Sequence, residues 1–268
     1  MPTIEINGCA LHYEESGSGP ETIVFSHGLF WSGRMYDVQR AELSKRYRCI
    51  AFDHRGQGQS QVTDAGYDMD ELWLDAAGLV EELGRGPVHW VGLSMGGFLG
   101  MRLAARRPEL IMSLSLLNTA ADPEPKINWP KYVVLGGLAR LLGFKPFVGE
   151  AMKSMFGKPF LTDPARAAER AEMKRRLCAN DVKGAIRSLM GVVFRKPVEK
   201  ELHKIGCPTL VLLGERDAAI RPARSRKMAS LIKGAQVVEI PHSGHSSTME
   251  EPAAVTAALA KFLGGLAS

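Results

Sequence analysis

The stretch that decides the fold is His89-Trp90-Val91-Gly92-Leu93-Ser94-Met95-Gly96-Gly97-Phe98. Its opening residues are bulky and largely apolar in succession, the pattern of a strand buried on both faces of a sheet. Over 98–106 the pattern becomes helical, and Gly92-Leu93-Ser94-Met95-Gly96 sits at the junction. As a pentapeptide, G-x-S-x-G is weak: chance alone supplies roughly 0.2 copies in a chain of this composition. The strand–turn–helix setting makes it specific, because a serine held in so sharp a turn needs a small residue on either side. The turn also presents the hydroxyl at a helix start, where aligned peptide dipoles favour negative charge. Ser94 is the candidate nucleophile.

Working outward, short apolar runs recur at 23–25, 49–52, 88–91, 114–117, 210–213 and 237–240. Near the N-terminus, 3–6 and 10–15 flank Asn7-Gly8, a dipeptide suited to a hairpin turn. Between the runs lie amphipathic helices. Met69, Leu72, Ala76, Leu79, Val80 and Leu83 share one face behind a cap-like Asp68, with Glu71 three residues on. Val255, Leu259, Phe262 and Leu263 share another. Strand–helix alternation of this kind predicts a doubly wound α/β sheet.

The segment 123–200 breaks the rhythm, with helix signals and no strand. Val133, Val134, Leu138, Leu141 and Leu142 recur at helical spacing, as do Val148, Met152, Met155 and Phe156, and Val182, Ile186, Leu189, Met190 and Val193. Asp163-Pro164 reads as an N-cap followed by proline at the first helical position. Helices inserted between two strands cannot all lie on the sheet. The expectation is a helical cap at 123–200 over the strands' carboxyl ends, with 1–122 and 201–268 forming the core.

The net charge of +5 hides a surplus of +9 within 123–200. Arginines scattered at helical spacing, without interleaved aromatics, read as a solvated face and give nucleic-acid binding no support. Apolar and charged fractions of 45% and 24% exclude a disordered chain. No apolar run approaches a membrane span, and acidic residues interrupt any signal-peptide layout. Cys9, Cys49, Cys178 and Cys207 stand alone, so neither a disulfide framework nor a metal site is expected, and a cytoplasmic setting is.

A serine hydroxyl needs a base within hydrogen-bond reach. Among the seven histidines, His245 in Ser243-Gly244-His245-Ser246 follows the run 237–240 and falls at the sheet's carboxyl edge; His242 is its rival. An orienting carboxylate then fixes the imidazole tautomer. Asp217, beyond 210–213, is the first candidate and Asp122, beyond 114–117, the second. Glu215 is expected to face solvent or a structural partner.

These features together resemble the α/β-hydrolase fold superfamily, in the capped group with carboxylesterases and lactonases. Ser26-His27-Gly28-Leu29, the segment from Phe52 to Ser60, the Ser94 elbow, Asp217 and Gly244-His245 carry the resemblance over nearly the whole length. It implies a mainly parallel eight-stranded sheet with one antiparallel strand. It also implies an oxyanion hole built from the backbone N–H groups of Leu29 and Met95. The Arg55-Gly56-Gln57-Gly58 loop lacks the Lys-Ser/Thr of a phosphate-binding loop, and the resemblance makes it a structural turn. His27 is then a scaffold residue.

The expected reaction is hydrolysis of a small-molecule carboxylic ester or lactone through an acyl-enzyme, without a cofactor. Phe30 and Trp31 are expected to line the acyl pocket together with the cap's apolar faces. A carbon–carbon bond hydrolase of the same fold, or a ligand sensor retaining the three residues, is the alternative. The chain is expected to be a monomer or homodimer.

Overall fold

The structure, a computed structural model, describes residues 2–266. Eight strands form one sheet: β1 (Thr3–Ile6), β2 (Cys9–Ser16), β3 (Thr22–Ser26), β4 (Arg48–Phe52), β5 (Val88–Leu93), β6 (Ile111–Leu117), β7 (Thr209–Gly214) and β8 (Gln236–Ile240). Their order is β1-β2-β4-β3-β5-β6-β7-β8. Only β2 runs against its neighbours; from β4 to β8 every pairing is parallel. This is the doubly wound α/β-hydrolase fold.

Alternate residues of each central strand feed opposite cores. Ile23, Phe25, Cys49, Ala51, Val91 and Leu93 enter one layer, and Val24, Ile50, Phe52 and Trp90 the other. Burying each such side chain is worth about 1.5–3 kcal/mol. Helices α1 (Asp37–Leu43) and α11 (Pro252–Gly264) cover the first layer, through Leu43, Val255, Leu259 and Leu263. Helices α2 (Met69–Leu83) and α3 (Met95–Arg106) cover the second, joined there by Met228 of α9 (Pro222–Ser230). Asp68 caps α2 as expected, accepting from the Asp70 N–H at 2.7 Å.

Strand β8, unlike the central strands, is largely exposed. Val237 is 41% exposed, and Gln236 and Glu239 are exposed beside it. An edge strand has a neighbour on one side only, which a run of apolar residues does not reveal.

Among the described residues 123–200 contains no strand. Its helices are α4 (Trp129–Leu142), α5 (Val148–Met155), α6 (Lys158–Thr162), α7 (Ala167–Cys178) and α8 (Val182–Val193). Asp163 accepts from the Ala165 N–H at 2.9 Å, the expected cap ahead of α7. Helix α8 seats on the core where Gly184 meets Gly56: a Cβ at 184 would stand 2.0 Å from the Gly56 carbonyl oxygen.

The inward face of α4 is not the one its apolar spacing suggests. Val133, Val134, Leu138, Leu141 and Leu142 point outward, Leu141 at 81% exposure. Gly136 and Ala139 face inward, where the missing bulk at Gly136 lets α4 approach Ile186 and Met190 of α8. The helix is apolar on most of its circumference, so periodicity could not choose the face. No helix among the described residues is long and apolar enough to cross a membrane.

Candidate active site

Ser94 caps α3 at the end of β5 with φ 52° and ψ −109°, a backbone conformation that costs roughly 1–3 kcal/mol for a residue with a side chain. The crowding that demands glycine is direct. A Cβ at Gly92 would meet the Gly96 carbonyl oxygen at 2.3 Å, and one at Gly96 the Ser26 carbonyl oxygen at 2.0 Å.

Asp217 follows β7 and is buried. Its Oδ1 accepts from the Ala219 and Ile220 N–H groups at 2.9 and 2.8 Å. Its Oδ2 accepts from His245 Nδ1 at 2.8 Å and from Asn118 Nδ2 at 2.9 Å. The first of these bonds puts the proton of neutral His245 on Nδ1 and leaves Nε2 as the basic nitrogen. Burial alone would depress the imidazole, but the charge and hydrogen bond of Asp217, with the charge of Glu250, hold its pKa above the usual value.

The rivals are occupied elsewhere. Asp122 pairs with Arg224 at 2.9 Å, and His242 is exposed, its N–H donating to Glu215 at 3.0 Å. His27 and His54 are buried against each other, ring centroids 4.3 Å apart, and burial holds both below the usual range. His27 accepts the His54 N–H on Nε2 and donates from Nδ1 to the Gly28 carbonyl oxygen. Both are neutral scaffold.

Ser94 and His245 lie on the wall of one cavity of about 550 Å³, with Leu29, Phe30 and Trp31 beside them. Leu135, Ala139, Val148 and Ile186, from α4, α5 and α8, form its far side. Among the described residues the Ser94 hydroxyl has no hydrogen-bond partner; the bonds of this residue run through its backbone. Met95 is buried behind the wall. Gln57 spans the two predicted oxyanion segments, accepting from the Phe30 N–H at 2.7 Å and donating to Met95 Sδ at 3.8 Å. That gives the 55–58 turn a supporting role.

Two positions escape sequence reasoning. Asn118, at the end of β6 with φ 47°, donates to Asp217 and to the Gly244 carbonyl oxygen, and accepts from Ser247 at 2.6 Å. The only signal was its place one residue past a buried strand. Glu250 is buried and accepts from the Gly244, Ser246 and Gly157 N–H groups at 3.0, 3.1 and 2.7 Å. It thereby grips both flanks of His245 and the segment leading into α6. Burial pushes its carboxyl up to about 7, against the pull of those three donors. Among the described residues no cluster of His, Cys, Asp or Glu could hold a metal ion.

A serine at a strained strand–helix turn, a buried carboxylate–imidazole pair and a shared cavity are the parts of a hydrolase. The chain belongs to the alpha/beta hydrolase family, whose model matches residues 23–259. It is similar to a thermophilic esterase from Thermogutta terrifontis: 27% identity, 100% of this chain and 99% of that one covered, TM-score 0.92. It is likewise similar to the enol-lactonase from Burkholderia xenovorans LB400, with 30% identity, coverage of 98% and 100%, and a TM-score of 0.90. A protein of Caulobacter sp. (strain K31) that carries the name carbamate hydrolase RutD is 28% identical over 262 residues, 96% of this chain and 97% of that one.

Proposed function

We propose that the protein hydrolyses a carboxylic ester or lactone through an acyl-enzyme on Ser94. Asp217 bonded to His245, on the same cavity as an elbow serine, is the observation that carries this reading. In the mechanism, Ser94 Oγ attacks the carbonyl carbon while His245 Nε2 takes its proton. Asp217 holds the Nδ1 proton and stabilises the imidazolium. The N–H groups of Leu29 and Met95 receive the developing oxyanion; losing one such donor typically costs ~10²–10³ in rate. The imidazolium protonates the departing alkoxide, and water, deprotonated by His245, cleaves the acyl-enzyme. The chemistry needs no cofactor.

In this reading Phe30 and Trp31 bound the acyl pocket, and 123–200 is a cap closing the cavity between 1–122 and 201–268. A carbamate presents the same acyl carbon with nitrogen attached, so carbamates belong in the substrate panel beside esters, lactones and carbon–carbon substrates.

The test is turnover of short p-nitrophenyl esters, with labelling by an organophosphonate and mass mapping of the adduct. Ser94→Ala is expected to lower kcat by about 10⁴–10⁶ without loss of fold. Label on another residue, or undiminished turnover in Ser94→Ala, would overturn the assignment. Ligand binding without turnover of any panel member would favour the sensor.

A further inference from the structure

Most cations of 123–200 are exposed, and some of these pair with a neighbouring acid, as Lys153 does with Glu150 and Arg175 with Glu172. Arg195 is not one of them. It is 4% exposed, just past the end of α8, and it lines the same cavity as Ser94 and His245. Its guanidinium carbon lies 4.3 Å over the ring of Phe98, another residue of the cavity wall. Phe98 is one turn into α3, its N–H donating to the Ser94 carbonyl oxygen at 3.0 Å. Phe98 stands one helical turn, about 6 Å of backbone rise, beyond Ser94.

Among the described residues no carboxylate forms an ion pair with Arg195. Nη1 donates to the Val192 carbonyl oxygen at 2.8 Å and Nη2 to that of Asp122 at 3.0 Å, while Nε is buried without a partner. The charges of Glu124 and Asp122 act on Arg195 from a distance, but neither carboxylate bonds to it: Asp122 pairs with Arg224, and Glu124 accepts from the Asn128 amide. Burial, then the neighbouring Arg224, push the guanidinium down to about 10, still charged at neutral pH.

A desolvated cation held by two carbonyl dipoles and one ring face, with no carboxylate bonded to it, is costly. One local and one remote carbonyl use two of a guanidinium's five donors, and the planar fork suits a carboxylate. The lining is mostly apolar, with Phe30, Leu135, Ile186 and Leu189; it also carries Glu124, Lys131, Glu150 and Lys153, but of its Lys, Arg and Glu residues only Arg195 is buried. Resting on the hydrolase reading above, we propose that Arg195 is the anion-recognition residue of the cavity. The substrate is an ester or lactone that carries a carboxylate a few carbon atoms from the scissile carbonyl.

The test compares two activated esters of matched length, the mono-p-nitrophenyl ester of glutarate and p-nitrophenyl hexanoate. The wild type is expected to have the higher kcat/KM on the anionic ester, and Arg195→Gln to lower the anionic-to-neutral ratio about ten- to hundredfold. Arg195→Lys, which keeps the charge and loses the fork, is expected to fall between. No preference in the wild type, or equal losses on both esters, would overturn the proposal and leave Arg195 as a strut between α8 and the Asp122 loop.

Should Arg195→Gln fail to fold, inhibition of the wild type by hexanoate and by hexanamide decides the matter: tighter inhibition by the carboxylate supports the proposal, equal inhibition overturns it. Hydrolysis of neither ester would strike the hydrolase reading instead. Binding of glutarate, read from intrinsic tryptophan fluorescence, would then still report on the anion site: binding in the wild type weakened in Arg195→Gln supports it, and no binding overturns it.

Discussion

Ser94, Asp217 and His245 were each legible as residues, because each stands just past a recognisable strand. Their support was not. Glu250 accepts three backbone N–H groups, two of them flanking His245, and its negative charge helps hold the imidazole's pKa above the usual value. In the proposed mechanism His245 acts as a base only when neutral, so activity is expected to fall as pH drops through that raised pKa. In Glu250→Gln the amide's own donor faces backbone donors, and the charge is gone. The variant is expected to have a lower kcat/KM and an acid limb displaced to lower pH, checked by a pH–rate profile beside the wild type. An unmoved limb would mean that Glu250 acts on the loop's shape alone. The pair Glu250-Glu251 ahead of Pro252 gave no hint of this, since a carboxylate next to a helix start is ordinarily a solvated one.

At the scale of elements, the same features that were easy to read explain the precision of the elbow. Strand β5 ends, α3 begins, and two glycines let the neighbouring backbone close in. The seat of the helical segment 123–200 was harder to foresee. Helix α8 touches the core through Gly184 on Gly56 and Gly191 on the Tyr67 carbonyl oxygen, and Asn180 donates to the Phe30 carbonyl oxygen at 2.9 Å. Gly184→Val is expected to lift α8 from the Gly56 turn and to lower kcat/KM about tenfold or more, while the far-ultraviolet circular dichroism of the sheet persists. Overpacking of this kind costs roughly 1–3 kcal/mol, and thermal unfolding measures it. Unchanged kinetics with a lowered Tm would show that the seating of α8 does not reach the cavity. The outward face of α4 makes a related point: an amphipathic stripe identifies an inner face only when the opposite side is polar.

For the whole molecule, two groups of buried ionisable side chains pull stability in opposite directions with pH. His27, His54 and His89 are depressed by burial, so their contribution is fully present above the ordinary histidine value of 6.5 and is lost below it, as pH falls through their lowered folded values. Glu250, raised from 4.5 to about 7, contributes below 4.5 and loses that contribution as pH rises through about 7. His245, also raised, adds to the same side. The Tm is expected to fall between pH 7 and pH 5, and to fall more steeply in Glu250→Gln, where an opposing contribution has been removed; calorimetry at several pH values checks both slopes. Equal slopes would show that the Glu250 carboxyl titrates alike in the folded and unfolded chain. Local patterning alone determined the strand–helix alternation, the elbow and the helical segment 123–200. These follow from periods of two and 3.6 residues and from turn chemistry, which act over a few positions. Only the tertiary structure decided that Asn118 meets Asp217 across 99 residues, that Glu250 grips the His245 loop, which face of α4 turns inward, and that Arg195 is buried on the cavity wall. Such contacts depend on which loop ends come together when the sheet closes, and no local period encodes that.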